Sequence, residues 1–186
     1  MAIHRTFDRR QVKRASGPDI DFCDGVVSTR ILRALYDSEA RLHELGVPHA
    51  LVGGLAVGAY GAPRATKDVD FLVGEEAFVH HGMLVSFRPG LPISSDGVAV
   101  DPISVGNDEH FLRKEFESAA TSHGIPIIGL EPLIYMKLSA GRHRDLDDVT
   151  RLLNATNEDP VRAYLNENAP DLIPLLEKCL RHGESQ

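Results

Sequence analysis

The sequence predicts an α+β fold with two layers, in which helices flank a sheet and a helical region follows it. Short apolar runs bounded by glycine and charged residues predict strands, as at 50–52, 68–73 and 98–105. Longer segments with apolar residues at helical spacing predict helices at 26–45, 108–122 and 131–154. The alternation of these two patterns favours a mixed architecture over an all-helical or all-strand one.

Residues 1–25 mix charged residues, glycine and proline without clear periodicity. We expect an N-terminal arm there, either mobile or laid down as an early strand on a partner. Its basic cluster, Arg9, Arg10, Lys13 and Arg14, could contact RNA or could simply be solvated.

A helix is predicted over 26–45, because Ile31, Leu35, Leu42 and Leu45 lie on or near one stripe and Ser28 or Thr29 can cap its start. The strand 50–52 follows and leads into Gly53 and Gly54. Because glycine has no Cβ, a ligand could come close to the backbone N–H groups that open the next helix, and phosphate suits such a place. A tight strand-to-helix turn without a ligand is the alternative.

The next strand carries two carboxylates, Asp68 and Asp70, two residues apart. Residues at this spacing point to one face of a strand, while Val69 and Phe71 point to the other. Neighbouring carboxylates repel each other unless a cation or basic group compensates them, so the pair predicts a site for a hard cation. The alternative is a solvated acidic pair on an edge strand.

After Val73 we expect a short helical segment that runs to His81, and then a weak strand over 83–87. A hairpin turn at 94–97 precedes the strand 98–105, which carries Asp101. The helix predicted over 108–122 ends at Gly124. Residues 125–130 resemble an edge strand, since Pro126 lacks the N–H needed for full pairing.

Two further helices are predicted between Glu131 and about Asn154, with Gly141 interrupting them. Asp145 falls inside the apolar stripe of the second helix and therefore needs a cation, either Lys137 or an arginine at 142 or 144. A purely structural ion pair would explain this arrangement. Two short helices over 159–182 complete the helical region.

Composition limits the classes of function. The chain has 186 residues, 42% of them hydrophobic and 25% charged, which suits one globular domain. A net charge of −7 gives no overall attraction to nucleic acid, so such a partner would need a local basic patch. Cys23 and Cys179 form no metal or disulfide motif, and no apolar run reaches the roughly 20 residues of a membrane span. We therefore expect a soluble, cytoplasmic protein.

The motifs around the glycine pair resemble the nucleotidyltransferase superfamily of the DNA polymerase β type. Its signature is an apolar residue with Gly-Gly or Gly-Ser, about a dozen residues, and then an acidic-apolar-acidic triplet. Here Val52-Gly53-Gly54 is followed, after thirteen residues, by Asp68-Val69-Asp70. Residues between and beyond these motifs look like the minimal, AbiEii-related branch: Tyr60-Gly61, Arg64, Thr66, Lys67 and the K-L-x-A…R-x-R-D-x-x-D-V pattern of 137–149.

The resemblance implies a nucleotidyltransferase core with a mixed sheet over residues 26–130 and a C-terminal helical region, 131–186, that closes the nucleotide cleft. It implies two Mg²⁺ ions, with Mn²⁺ as a substitute, held by Asp68, Asp70 and Asp101. Asp101 would also act as general base, in preference to Asp96, which lies in the turn itself. Gly53 and Gly54 would hold the triphosphate.

The same resemblance implies that Lys137 binds phosphate and that Asp145 orients it or assists catalysis. Arg64 and Thr66 would orient the loop or contact phosphate, although Arg64 could instead only neutralise the acidic cluster.

The implied reaction moves a nucleoside monophosphate from an NTP to an acceptor hydroxyl on RNA, such as a tRNA 3′ end, on a protein, or on a small antibiotic. The alternative is a non-catalytic nucleotide-binding or interaction module, such as one half of a toxin–antitoxin pair. The oligomeric state stays open.

Overall fold

The structure is a computed structural model that describes residues 17–106, 109–154 and 156–183. Within these ranges six strands form a mixed sheet: β1 (His49–Leu51), β2 (Asp68–Val73), β5 (Ser94–Ser95), β6 (Val98–Ser104), β7 (Ala120–Ser122) and β8 (Ile125–Ile127). Their order in the sheet is β5-β6-β2-β1-β8-β7. A separate hairpin is formed by β3 (Phe78–His81) and β4 (Leu84–Phe87).

Helices flank this sheet, so the predicted α+β fold with a mixed sheet is confirmed. The helices are α1 (Thr29–Glu44), α2 (Gly53–Ala59), α3 (His110–Arg113), α4 (Glu115–Ser118), α5 (Leu130–Ala140), α6 (His143–Leu153), α7 (Asp159–Asn168) and α8 (Ile173–Gly183). Short 3₁₀ helices lie at Ile20–Cys23, Glu75–Ala77 and Pro170–Leu172. In the described part of the chain, no helix has both the length and the apolar character needed to cross a membrane.

The core forms where the apolar sides of the helices meet the sheet. The stripe predicted for α1 is buried at Ile31, Leu35 and Leu42, and the Ser28 side chain accepts a hydrogen bond from the backbone N–H of Ile31. Val69 and Phe71 of β2 are completely buried. Their burial holds β2 in place. Because side chains alternate along a strand, Asp68 and Asp70 then point to the opposite face of the sheet.

The N-terminal prediction is partly outside the described residues. The basic cluster of Arg9, Arg10, Lys13 and Arg14 lies there. Within the described part, Ile20 and Cys23 of the first 3₁₀ helix are buried in the core, and the Cys23 thiol faces the Leu55 carbonyl oxygen in α2. The division of the chain at residues 25 and 130 stays a prediction.

The helix predicted over 108–122 is wrong. The described residues form α3 and α4 and then β7, which pairs antiparallel with β8. His123 and Gly124 make the tight turn between these strands, and both have positive φ, 51° and 85°. The apolar residues of this segment fit a helical period, but the pairing of 120–122 with β8 depends on contacts outside the segment.

The predicted edge strand near Pro126 is also wrong, because β8 lies inside the sheet between β1 and β7. Ser122 and Ile125 flank the two-residue turn and form a hydrogen-bonded pair. Hydrogen-bonded and non-hydrogen-bonded pairs alternate in an antiparallel ladder, so the next pair, Thr121 and Pro126, is not hydrogen-bonded, and the Pro126 nitrogen points away from β7. On its other side β8 pairs with β1 only at Leu51 and Ile127, and the missing N–H is tolerated there. The helical segment expected up to His81 is a 3₁₀ turn followed by β3, whereas the predicted strand over 83–87 is confirmed as β4.

The C-terminal helices agree with the prediction. α5 ends where Gly141 adopts the left-handed conformation, with φ of 62°, and α6 begins two residues later. Asp145 lies on the buried side of α6, as its place in the apolar stripe predicts. The short link at Gly141 keeps α5 and α6 in contact and brings Lys137 next to Asp145.

Replacing Gly141 by alanine tests this link. A Cβ there would meet nothing closer than the Leu138 carbonyl oxygen at 3.7 Å, so the cost comes from the positive φ alone. We expect Gly141→Ala to lower the free energy of unfolding by about 1 kcal/mol and the melting temperature by about 2–4 °C. Thermal denaturation measures this, with Asn166→Ala on the exposed side of α7 as the control that loses no stability. An unchanged melting temperature for Gly141→Ala would contradict the left-handed backbone conformation of Gly141.

Candidate functional site

Three carboxylates meet on one side of the sheet. β2 and β6 run parallel, and their register places Asp70 beside Asp101 and Asp68 beside Ala99. One carboxylate oxygen from each of Asp68, Asp70 and Asp101 lies within 4.8 Å of the others. Three carboxylates at this spacing match the oxygen ligands that Mg²⁺ and Mn²⁺ prefer.

The electrostatics of this cluster favour the binding of a positive charge. Burial, and after it the charges of Asp68 and Asp101, raise the pKa of Asp70 to about 6, against the opposing effects of Lys137 and a hydrogen bond from the Gly54 backbone. Like charges in a partly buried place oppose each other's ionisation. A divalent cation would remove that opposition, so the residues present fit a metal ion.

The glycine turn approaches the same carboxylate. Gly53 has φ of 64°, and a Cβ at this position would lie 1.8 Å from Oδ2 of Asp70. A side chain at 53 would therefore displace Asp70. The sequence predicts that glycine makes room for a ligand here, and this stays a prediction; the structure shows that Asp70 also lies against Gly53 and that the Gly54 backbone hydrogen-bonds to it.

The loop between α2 and β2 lines the other side of the turn. Thr66 Oγ1 donates a hydrogen bond to Asp68 Oδ1 at 3.0 Å, so the threonine orients the first carboxylate of the triplet. Arg64 lies against Gly54, where a Cβ would come within 3.2 Å of its Nη1. These contacts join the glycine turn, the loop and the start of β2 into one wall.

A buried ionic network fixes α5 and α6 behind this wall. Lys137 Nζ lies 2.9 Å from Oδ1 of Asp145 and 2.9 Å from Oδ2 of Asp148. Arg64 donates from Nε and Nη2 to the two carboxylate oxygens of Asp148, at 2.6 and 2.7 Å. Arg142 adds a hydrogen bond of 2.5 Å from Nε to Asp145 Oδ2, and its own side chain is largely exposed.

Both acids of the network stay ionised despite their burial. Burial by itself would raise the pKa of Asp145, but hydrogen bonds from Arg142 and Lys137 outweigh it and hold that pKa below its ordinary value. Burial would also raise the pKa of Asp148, but Arg64 and Lys137 outweigh this effect and hold that pKa below its ordinary value. The ion pair predicted for Asp145 is therefore present, with Lys137 and Arg142 as partners.

All nine residues predicted for the site line one cleft of about 440 Å³. They are Gly53, Gly54, Arg64, Thr66, Asp68, Asp70, Asp101, Lys137 and Asp145. Arg142 and Arg144 line the same cleft, and Leu133 and Met136 add apolar surface to it. The cleft is within the size range of small-molecule sites, although the role of each residue in it stays a prediction.

Asp148 received no role from the sequence, although it is completely buried and bonded to two cations. It follows Asp145 by three residues, which places both acids on neighbouring positions of one helix face. That spacing is the signal that could have identified it. Its principal partner, Arg64, lies 84 residues away in sequence, so no local pattern indicates their contact.

A second group of potential ligands lies elsewhere, formed by Asp19, Asp21 and His123. His123 Nε2 already contacts Asp21 Oδ1 at 3.0 Å, and Asp19 accepts hydrogen bonds from the Asp21 N–H and the Ser122 hydroxyl. Asp21 and His123 are exposed.

The raised pKa of Asp70 predicts a stability gain when its charge is removed. The folded-state value of about 6 lies above the ordinary 3.8, so ionisation opposes folding at high pH and this penalty fades as pH falls through 6 towards 4. In metal-free buffer we expect Asp70→Asn to be more stable than the wild type by up to about 3 kcal/mol at pH 8. Urea denaturation between pH 8 and 4 should show this difference closing. A stability difference that is the same at pH 8 and pH 4 would be inconsistent with a raised pKa of Asp70.

Metal binding should depend on Asp101 and not on the neighbouring acid in the turn. We expect Asp101→Asn to weaken Mn²⁺ binding at least about tenfold, because one of three carboxylate ligands is lost. The matched control is Asp96→Asn, which removes the same charge from an exposed turn position with φ of 47°, where asparagine is tolerated. Calorimetric titration with Mn²⁺ measures both variants. Equal weakening in the two would mean that the acids act only through overall charge.

No protein-family model and no curated protein matches the sequence. Among solved structures, the chain is similar to the crystal structure of an antigenic nucleotidyltransferase-like protein from Paracoccidioides brasiliensis. The two chains are 14% identical, the alignment covers 82% of this chain and 94% of the other, and the TM-score is 0.43.

Proposed function

We propose that the protein is a metal-dependent nucleotidyltransferase that moves a nucleoside monophosphate from an NTP to an acceptor hydroxyl. The observation that carries this proposal is the meeting of three carboxylates from adjacent strands with the buried Lys137 and the partly buried Arg64 in a single cleft. The carboxylates suit divalent cations and the cations suit phosphates. A nucleoside triphosphate with Mg²⁺ is a ligand that needs both.

Asp68, Asp70 and Asp101 would hold two Mg²⁺ ions, or Mn²⁺ in their place. When bound, such ions neutralise charge on the triphosphate and on the oxygens that attack and leave. The chain itself supplies the positions of the ligands. Asp68 is oriented by Thr66, and Asp70 by the Gly54 backbone, while both are held by the strand that Val69 and Phe71 anchor.

Asp101 is the group proposed to take the proton of the acceptor hydroxyl. It is exposed, unlike the half-buried Asp68 and Asp70, so an acceptor can reach it from solvent. The hydroxyl oxygen then forms a bond to the α-phosphorus, and the bond from that phosphorus to the bridging oxygen of the β-phosphate breaks. Pyrophosphate leaves with the electron pair of that bond.

Lys137 and Arg64 are proposed to bind the phosphates. Lys137 has three N–H donors and uses two of them on Asp145 and Asp148. Arg64 keeps Nη1 at the glycine turn. In this assignment the Gly53–Gly54 turn holds the triphosphate close to Asp70, and Asp145 orients Lys137.

The acceptor is proposed to be a hydroxyl of RNA or protein. Arg144 lines the cleft, is exposed and donates to the Ala65 carbonyl oxygen, and Arg151 donates to the Pro63 carbonyl oxygen in the same loop. A toxin or antitoxin partner belongs to the alternative proposal, in which the chain is a non-catalytic nucleotide-binding or interaction module.

Transfer of label tests the proposal. The protein is incubated with each NTP labelled at the α-phosphate, with Mg²⁺ or Mn²⁺ and a cell extract, and acceptors are identified after separation of RNA from protein. We expect labelled product from the wild type and from Asp96→Asn, and at least about a hundredfold less from Asp68→Asn. Binding of NTP without transfer to any acceptor would support a non-catalytic nucleotide-binding module instead.

A further inference from the structure

Asp148 connects Arg64 and Lys137, the two cations that bind the phosphates in the proposed function. Its side chain is completely buried on α6. Oδ1 accepts from Arg64 Nε at 2.6 Å, and Oδ2 accepts from Arg64 Nη2 at 2.7 Å and from Lys137 Nζ at 2.9 Å. One carboxylate therefore ties the loop before β2 to both α5 and α6.

The contact fixes the direction of Arg64. A bidentate pair uses one edge of the planar guanidinium and sets the plane of the group. The remaining nitrogen, Nη1, carries two N–H donors, of which one contacts the Ala65 carbonyl oxygen at 3.3 Å. Nη1 and Nη2 lie 3.2 and 3.3 Å from the place of a Cβ on Gly54, so this end of the guanidinium lies against the glycine turn.

The contact also fixes Lys137. A lysine side chain is flexible, and its ammonium group would otherwise occupy several positions. Here Asp145 and Asp148 each accept one N–H at 2.9 Å, which leaves one donor on a side chain that lines the cleft. Lys137 is close enough to Asp70 for its charge to act on that carboxylate.

We propose that Asp148 is a positioning residue that orients Arg64 and Lys137 towards the phosphates of a nucleoside triphosphate, an inference that rests on the proposed function. Long cationic side chains lose conformational entropy when they bind a ligand, and a side chain that is already held loses less. Asp148 does not itself touch the nucleotide. It acts by holding both cations in the arrangement that the ligand requires.

A purely structural role for Asp148 makes a different prediction. Removal of one partner from a buried ion pair destabilises a protein strongly, whatever the site does. In that case nucleotide binding and metal binding by the folded protein would be unchanged or would fall together. A positioning role instead weakens the binding of the triphosphate and leaves the metal ligands intact.

The experiment compares two affinities in each variant of the full chain. Calorimetry measures binding of the four nucleoside triphosphates in turn with Mg²⁺, and electron paramagnetic resonance measures binding of Mn²⁺ alone. The variants are Asp148→Asn, Asp148→Glu and the control Asp147→Asn, which removes the same charge from an exposed position on α6. Asp148→Glu keeps the negative charge that the buried cations need and moves the carboxylate, so it serves if Asp148→Asn does not fold. Circular dichroism establishes that each variant is folded.

We expect folded Asp148 variants to bind the triphosphate about tenfold more weakly than the wild type, since the directions of two charge-assisted contacts are lost. Their Mn²⁺ affinity should stay within about twofold, and Asp147→Asn should match the wild type in both measurements. Unchanged triphosphate affinity in folded Asp148 variants, or an equal loss of both affinities, would overturn the positioning role alone. A wild type that binds Mn²⁺ but none of the four nucleotides would overturn the proposed function together with it.

Discussion

The mutual repulsion of three carboxylates is the constraint on which the site depends. Asp68, Asp70 and Asp101 cannot turn away from one another freely, because β2 is anchored by completely buried apolar side chains and paired in register with β6. The sheet therefore imposes an unfavourable charge arrangement on the folded protein. Such an arrangement costs stability in the absence of a cation, and it provides affinity when a cation binds.

A second layer of charge supports the first. Lys137 and Arg64 bring positive charge towards the carboxylates, and both are held by acids of α6. Because Asp145 and Asp148 are buried with well-placed hydrogen bonds, they stay charged where isolated carboxylates would take up protons. The helix pair α5 and α6 thus does more than close the domain. It supplies Lys137 and the acids that hold both Lys137 and Arg64.

Gly53 shows how one sequence pattern can have two physical reasons. Two glycines after a strand suggest that a ligand comes close to the backbone. The structure adds a reason within the protein itself, since any Cβ at this position would collide with the Asp70 carboxylate. The close approach of the turn to Asp70 therefore belongs to the folded chain before any ligand binds.

The local elements of this fold were largely predictable, because each depends on residues close in sequence. The cap of α1 at Ser28, the strand at 68–73 and the break at Gly141 are cases where apolar spacing and a single special residue decide the structure. The helix prediction for 108–122 is wrong for the opposite reason. Its apolar residues fit a helix, but Ala120–Ser122 is drawn into the sheet by β8.

The sequence by itself determined which side chains of β2 point together, because the alternation of acidic and apolar residues in a strand leaves only one arrangement that buries Val69 and Phe71. It also indicated that Asp145 would need a cation. Only the tertiary structure decided that Asp101 lies beside Asp70 and that Asp148 joins Arg64 to Lys137. The register of β6 and the docking of α6 set these contacts, and both arise from packing between segments that are distant in the chain.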